Sequence, residues 1–311
     1  MNLAPRLESL AAPIGRDAFL RDCWRKAVFH HPGTADRLGA LLEALGSVDQ
    51  AALLARSPNF AVLGLEGDAD ADARLSVPQA IEAYENRGAT LYFRLGDDAP
   101  LGKWTEELAD SLGEPPIGVT SLFAVRGRHG TRLHLDWNEN FTIQVLGTKR
   151  WRVARTPNDF VENPVTNWAI GQPAPLHAHA SRLPEKMPDD APSYLLTPGS
   201  VLYVPRGFLH EVASVDDAES LSLNMSFPPS PWGVILSTLL GVRLLENPEW
   251  REAISGAFGS GWGREAFLAR LPGMMAAFAR DAAHVEGDLR EMLDDPDKLA
   301  RYLARRRYPR L

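Results

Sequence analysis

The 311-residue sequence offers a pair of metal-ligand side chains at strand spacing within Thr131-Arg-Leu-His-Leu-Asp-Trp-Asn-Glu-Asn-Phe141. If this segment is extended, residues i and i+2 share a face, so His134 and Asp136 present an imidazole and a carboxylate side by side. A second histidine, His210, closes Thr197-Pro-Gly-Ser-Val-Leu-Tyr-Val-Pro-Arg-Gly-Phe-Leu-His210, where a glycine turn feeds a strand that ends at Pro205-Arg-Gly207. Two histidines and one carboxylate make a facial triad. It leaves three open positions on an octahedral ion, enough for non-haem Fe(II) to hold a bidentate 2-oxo acid together with dioxygen. Taken alone, a His-x-Asp pair is weak evidence, because it arises often by chance and on surface strands.

The neighbouring residues add to it. Lys149 begins a strand after Gly147-Thr148, fifteen residues past His134. A lysine there can pair with the distal carboxylate of a bound dicarboxylic acid. The intervening turn breaks the alternation of faces, so parity does not fix where it points. Asn224, in Ser220-Leu-Ser-Leu-Asn-Met-Ser-Phe227, is a polar residue in an otherwise core-like strand. An inward amide is costly unless hydrogen-bonded, and a ligand carboxylate or a water on the metal would satisfy it. Other candidates read differently. His177-Ala-His179 lies in a proline-rich insert with no third ligand nearby and reads as surface loop. His30-His31 read as a helix-end pair, Cys23 as a buried structural thiol and Trp151 as a buried strand anchor.

These residues need elements to position them. Residues 16–27 place Phe19, Leu20, Cys23 and Trp24 on one helical face, residues 39–54 continue the helical pattern, and 78–87 form a helix that opens with proline. After Arg87-Gly88 the pattern changes to strand over 89–93, 118–125, 141–146, 150–154, 200–204, 211–214 and 220–227, interrupted by a helix over 103–112. Many short strands with turn signals between them suggest a sandwich or barrel. Residues 155–195 form a long, weakly patterned insert, and loops of that length are usually functional or mobile. Helices return over 234–245, 249–258, 264–280 and 295–307.

Composition narrows the classes. With one cysteine, an intramolecular disulfide, a thiolate zinc site and an iron–sulfur cluster held by this protein alone are excluded, so a protein-bound metal must use imidazole and carboxylate. The sequence is 45% hydrophobic and 23% charged, an ordinary globular balance. Its N-terminus lacks the run of a secretory signal, and no stretch approaches the roughly twenty apolar residues of a membrane span, so the expected compartment is the cytoplasm. The net charge of -7 argues against a nucleic-acid binder, but Lys298, Arg301, Arg305, Arg306, Arg307 and Arg310 follow the last acidic residue. A solvated helix end accounts for this basic tail, and a contact with RNA or an acidic partner is the alternative.

The sequence resembles the JmjC-type, cupin-fold Fe(II)/2-oxoglutarate oxygenases, in particular the ribosomal-oxygenase and asparaginyl-hydroxylase branch. The resemblance rests on His134-x-Asp136, on Phe141-Thr-Ile-Gln-Val-Leu-Gly-Thr-Lys149-Arg-Trp-Arg-Val, on Gly199-Ser-Val-Leu-Tyr-Val-Pro-Arg-Gly-Phe-Leu-His210, and on Phe19-Leu-Arg-Asp-Cys-Trp-Arg-Lys near the N-terminus. It implies a mainly β fold with α: a double-stranded β-helix (cupin or jelly roll) flanked by helices. The expected division is an N-terminal helical segment (1–88) packing on the core, a catalytic core (89–229) with the 155–195 insert, and a C-terminal helical region (230–311). The resemblance further implies Fe(II) on His134, Asp136 and His210 as the catalytic centre, with Lys149 on the C5 carboxylate of 2-oxoglutarate. Thr131 and Asn224 match positions that contact this co-substrate or its surroundings. Phe123 stands near where many members carry a co-substrate tyrosine, and Thr131 is the candidate substitute. Trp137, Asn138 and Asn140 follow the ligands and would border the substrate. Arg126 and Arg128 are candidates for the cleft rim, with an exposed loop as the alternative.

The implied reaction consumes 2-oxoglutarate and O2, releases succinate and CO2, and hydroxylates a C–H bond in a side chain of a protein or peptide. The alternatives keep the chemistry on a small molecule or a tRNA base, or make this a cupin-fold binding protein without turnover. Phe267, Leu271, Met274, Met275 and Phe278 suggest a homodimer through the C-terminal helices, although packing within the molecule explains the same stripe. The region after Pro229 looks too short to hold both the dimerisation helices and the winged-helix domain of the ribosomal oxygenases, so substrate identity is not carried over from them.

Overall fold

The computed structural model describes residues 3, 6–57, 59–63, 75–94, 100–115, 118–127, 129–156, 164, 166–172, 184–215, 217–253 and 263–295. The strands in sequence order are β1 (Phe29–His31), β2 (Asn59–Leu63), β3 (Thr90–Arg94), β4 (Val119–Arg126), β5 (Gly130–Leu135), β6 (Glu139–Leu146), β7 (Lys149–Ala154), β8 (Trp168–Ala169), β9 (Ser193–Leu196), β10 (Val201–Val204), β11 (Leu209–Ser214) and β12 (Glu219–Phe227). The helices are α1 (Leu7–Leu10), α2 (Arg16–Asp22), α3 (Gly39–Leu45), α4 (Gln50–Ala55), α5 (Val77–Arg87), α6 (Pro100–Leu112), α7 (Trp232–Glu246), α8 (Arg264–Ala282) and α9 (Val285–Leu293). The protein divides into a unit up to Pro229 and a second from Ser230.

In the first unit one sheet has the order β1-β10-β6-β12-β4-β3-β2 and the other β8-β5-β11-β7-β9, with antiparallel pairing throughout. From β4 to β7 the backbone alternates between the sheets, and β10 to β12 return antiparallel to those strands, β10 beside β6, β11 between β5 and β7, and β12 between β6 and β4. This is the jelly-roll topology of a double-stranded β-helix. In the smaller sheet, His134 and His210 sit opposite each other across the β5–β11 pair.

Alternation along the strands explains which face goes where. Phe141, Ile143 and Val145 of β6 and Leu221, Leu223, Met225 and Phe227 of β12 join one apolar core with Phe19, Leu41, Leu45, Leu101 and Leu108 from the helices and Trp24 from the turn after α2. The intervening Asn140, Thr142, Gln144, Ser220, Ser222 and Asn224 are buried as well, on the other face. Apolar residues thus turn outward to the helices, and polar residues turn into the barrel. Trp151, Val153, Leu196, Leu202 and Val204 form a separate apolar cluster.

Several sequence expectations change. Residues 1–88 are not purely helical, because β1 and β2 add edge strands to the larger sheet. The expected helix over 39–54 is two, broken where Gly46 takes the left-handed conformation and Asp49 caps α4 through Ala52 N–H. Against expectation, Ala35–Ala55 is long and apolar enough for a membrane span by length and composition. In the fold it is broken into these pieces, and Leu38, Leu41, Leu45, Leu53 and Leu54 are core residues. The described part of the 155–195 insert is not featureless: β8 and β9 extend the smaller sheet, and Trp168 and Met187 pack with Leu133, Leu135 and Leu209.

The second unit holds α7, a single turn at Pro248–Arg251, α8 and α9. Leu239, Val285 and Met292 form its small core, and Arg243 pairs with Asp288. Only the single turn is described within the expected 249–258 helix, α9 has no counterpart among the sequence expectations, and the expected 295–307 helix and basic tail lie outside the described residues beyond Asp295.

Candidate metal centre

β5 carries the first ligand, and its inward side chains do not follow simple alternation. His210 pairs with His134 but Val212 pairs with Thr131, so β5 has one residue more than β11 across this interval. Such a β-bulge re-aims side chains. Thr131 and His134, three residues apart, therefore line one cavity, while Arg132 between them is exposed. A Cβ on Gly130 would fall 1.8 Å from the Val212 carbonyl oxygen, so this close approach requires glycine.

His134 Nδ1–H donates to Arg132 O (2.6 Å), and His210 Nδ1–H donates to Phe208 O (3.0 Å). Each bond selects the tautomer whose Nε2 lone pair is free for a metal. The two rings lie 4.0 Å apart between centroids, and His210 Nε2 is 3.6 Å from Asp136 Oδ2. One ligand atom from each of His134, Asp136 and His210 lies within 4.8 Å of the others. Asn140 Nδ2 donates to Asp136 Oδ2 (2.7 Å), and Gly207 N–H donates to the Asp136 carbonyl (2.8 Å). Burial, reinforced by His134 and opposed by Asp136, holds the His210 imidazole well below its usual pKa. It is therefore neutral near neutral pH, the form that ligates metals. Two oriented imidazoles and a fixed carboxylate fit a non-haem Fe(II) facial triad.

The cavity in front of these ligands spans about 470 Å³, the open solvent at its mouth included. Lys149, Thr131, Asn224 and Asn140 all line it. Lys149 Nζ donates to the Phe123 carbonyl (3.1 Å) and to Ser222 Oγ (2.9 Å). These partners are neutral, and burial pushes the ammonium down to about 7. An incoming carboxylate would supply the missing counter-charge. Ser222 is itself oriented, donating to Gln144 Oε1 (2.8 Å), whose Nε2 donates to Ser220 Oγ (2.8 Å). Thr142 donates to Asn224 Oδ1 (2.7 Å), which leaves the Asn224 NH2 as its donor end. Thr131 Oγ1 is buried without a partner, and the Phe123 ring, which also lines the cavity, packs on Tyr92 (4.9 Å between centroids).

Among the expected substrate residues, Asn140 is buried, with Ser226 Oγ donating to its Oδ1 (2.6 Å) and its NH2 on Asp136. Both ends of its amide are engaged in holding the carboxylate. Trp137 and Asn138 are partly exposed on the connection to β6, and Trp137 N–H donates to Asn167 Oδ1 (3.0 Å). Arg126 is exposed at the end of β4. Arg128, His177 and His179 lie outside the described residues.

Trp151 and Ser222 are among the cavity residues that sequence reasoning missed. Trp151, expected as a strand anchor, is buried as such but also stacks on His210 with centroids 5.5 Å apart and planes 16° from parallel. Its position two residues past Lys149, on the same face of β7, was the available signal. Ser222 could have been found from the serine at every second place leading to Asn224.

The family described as JmjC domain matches residues 104–232. Over 263 residues the protein is 28% identical to the uncharacterized protein YxbC of Bacillus subtilis (strain 168), covering 79% of this sequence and 78% of YxbC. It is 25% identical over 254 residues to the bifunctional lysine-specific demethylase and histidyl-hydroxylase NO66 of Drosophila persimilis, covering 78% of this sequence but 34% of NO66. A solved structure, that of ycfD from E. coli, is similar with a TM-score of 0.45 and 19% identity, covering 77% of this protein and 59% of that one. The protein thus spans most of YxbC and about a third of NO66.

Proposed function

We propose, from the premise that this protein is a JmjC-domain oxygenase dependent on Fe(II) and 2-oxoglutarate, that it hydroxylates a C–H bond in a side chain of a protein or peptide. The observation that carries the reading is the convergence, in one cavity, of the His134, Asp136 and His210 triad with a buried ammonium on Lys149 that has only neutral partners. A dianionic 2-oxo acid answers both features, one end at the metal and the other at Lys149. A polypeptide substrate is supported by the similarity to NO66, whose name describes action on lysine and histidine residues.

Bound together, Fe(II), 2-oxoglutarate and O2 supply the oxidising chemistry, with 2-oxoglutarate leaving as succinate and CO2. The protein's own residues bind and orient. His134 and His210 each offer an Nε2 lone pair because their Nδ1–H groups are held by Arg132 and Phe208 carbonyls. Asn140 and Gly207 fix the Asp136 carboxylate and its backbone. Lys149, aimed by Ser222, would hold the C5 carboxylate, and the free Thr131 hydroxyl and Asn224 NH2 are the further donors on that side. The walls of Phe123, Val125, Trp151 and Val212 limit water around the reacting centre.

The test is mass spectrometry of a cell's proteome and of candidate peptides treated with the wild-type protein or with His134→Ala. The expected result is a gain of one oxygen atom on a polypeptide with the wild type alone, accompanied by succinate. Succinate formed with no modified polypeptide would move the substrate to a small molecule or tRNA base. No succinate in air with Fe(II) would leave a binding protein. The same reading includes a homodimer through the C-terminal helices, supported by the exposure of Trp232, Leu268 and Met275.

A further inference from the structure

Glu139 opens β6 three residues past Asp136, and its carboxylate is only 1% exposed. It is absent from the cavity lining. A buried carboxylate is costly unless paired and hydrogen-bonded, and burial raises the Glu139 pKa against the groups around it. Those groups are specific. Oε2 accepts from the Tyr203 hydroxyl (2.6 Å) and from the Arg206 backbone N–H (3.2 Å). Oε1 faces Nε of Arg206 (3.8 Å) and Nε of Arg25 (4.0 Å).

Arg25 is the one non-glycine residue with positive φ among those described, at 61°. That conformation costs on the order of 1 kcal/mol or more and persists where its surroundings hold it. Here the Arg25 N–H donates to Tyr203 Oη (2.8 Å), and the guanidinium reaches Glu114 (2.5 Å) as well as Glu139.

The Arg206 N–H that Glu139 holds belongs to the turn Pro205–Phe208 between β10 and β11. The next N–H, that of Gly207, donates to the Asp136 carbonyl (2.8 Å). Gly207 takes a φ of 79°, which favours glycine. Phe208 N–H closes the turn on Pro205 O (3.2 Å), and Phe208 O accepts from His210 Nδ1–H (3.0 Å). One short turn therefore touches two of the three metal ligands, and Glu139 secures its first N–H.

We infer that Glu139 is a positioning residue of the metal centre, fixing the Pro205–Phe208 turn and through it the backbone of Asp136 and the ring plane of His210. This inference rests on the metal-centre reading above. Glu139 touches neither the metal ligands' donor atoms nor the co-substrate cavity. Its action is geometric, of the kind whose loss costs on the order of ten- to a hundredfold in metal affinity.

Glu139→Gln keeps the shape but turns an NH2 toward one of two groups of donors. The experiment titrates the full-length protein with Mn(II), reading free Mn(II) by electron paramagnetic resonance, for wild type, Glu139→Gln and a core variant, Leu41→Ala, in the helical layer. Expected is a rise of about tenfold or more in the Mn(II) dissociation constant for Glu139→Gln, with Leu41→Ala within about twofold of wild type despite its lower melting temperature. An unchanged constant in folded Glu139→Gln, or an equal rise in Leu41→Ala, overturns the inference. If Glu139→Gln does not fold, Tyr203→Phe, which removes the hydrogen bond to Oε2 together with the acceptor of the Arg25 N–H, decides: weaker Mn(II) binding supports the role and unchanged binding overturns it. A wild-type protein that binds no Mn(II) at all overturns the metal-centre reading together with this one.

Discussion

Lys149 is a cation buried among neutral groups, and its protonation must therefore follow what shares the cavity. With neutral partners it sits at about 7 because burial disfavours the charge. A bound carboxylate favours the ammonium and raises that value in the complex. Below about 7 the lysine is already charged and co-substrate affinity is flat; above it, binding must take up a proton. The dissociation constant for 2-oxoglutarate is expected to rise about tenfold per pH unit above about 7 until the pKa of the complex is reached. Calorimetric titration of the Mn(II)-loaded protein without oxygen, between about pH 6 and 9, reads this directly. Lys149→Arg, charged throughout, should flatten the slope, and a flat wild-type profile would sink the assignment.

At this scale most of the cavity was legible in the sequence. His134, Asp136, His210, Lys149, Thr131 and Asn224 were all singled out by spacing and family resemblance, and all of them line one cavity. Trp151 was read only as packing because a tryptophan in a strand is usually that. Its stack on His210 depends on the pairing of β7 with β11, which sequence alone does not specify. Glu139 gave no signal either, since its partners Arg25, Tyr203 and Arg206 come from distant segments.

Among the elements, β6 and β12 were legible because both alternate cleanly, whereas β5 was not marked as a strand on its own pattern. The bulge is the reason: it breaks the period-two count where His134 must point inward. Gly130 makes that bulge possible, so Gly130→Ala is expected to push β5 from Val212 and lower stability by about 1–3 kcal/mol. Thermal melting measures the loss. Melting unchanged from wild type would mean that the strand can relax around a methyl group. The broken helix over residues 39–54 was missed for a related reason, since Gly46 and Asp49 interrupt an apolar run without changing its composition.

The N-terminal segment shows why its aromatic residues belong with the site. Phe19 and Trp24 pack on Tyr203 with centroids 5.1 and 5.4 Å apart, and Tyr203 is the residue that bonds Glu139. The helical layer thus supports the metal turn through one aromatic residue. β8, β9 and α9 were not legible, the first two because they are short edge strands whose pairing is set by the sheet they join.

The whole molecule divides into two units. The second has a small core, and Trp232 is 71% exposed, Met275 57% and Leu268 49%. The proposed homodimer would cover these apolar groups. A homodimer is expected by light scattering, and Leu268→Asp combined with Met275→Asp should convert it to a monomer. A monomeric wild type would remove the dimer from the proposal.

The inward polar stripe of β6 and β12 has a consequence for motion. Both faces of these strands are buried, one under helices and the other by hydrogen bonds among Asn140, Thr142, Gln144, Ser222 and Asn224. Opening them to solvent would expose both layers at once, so their amide protons should exchange last, near the rate of global unfolding. The floor that orients Lys149 and Asp136 is then the slowest-opening part of the barrel, and the co-substrate meets a surface whose shape is fixed before it arrives.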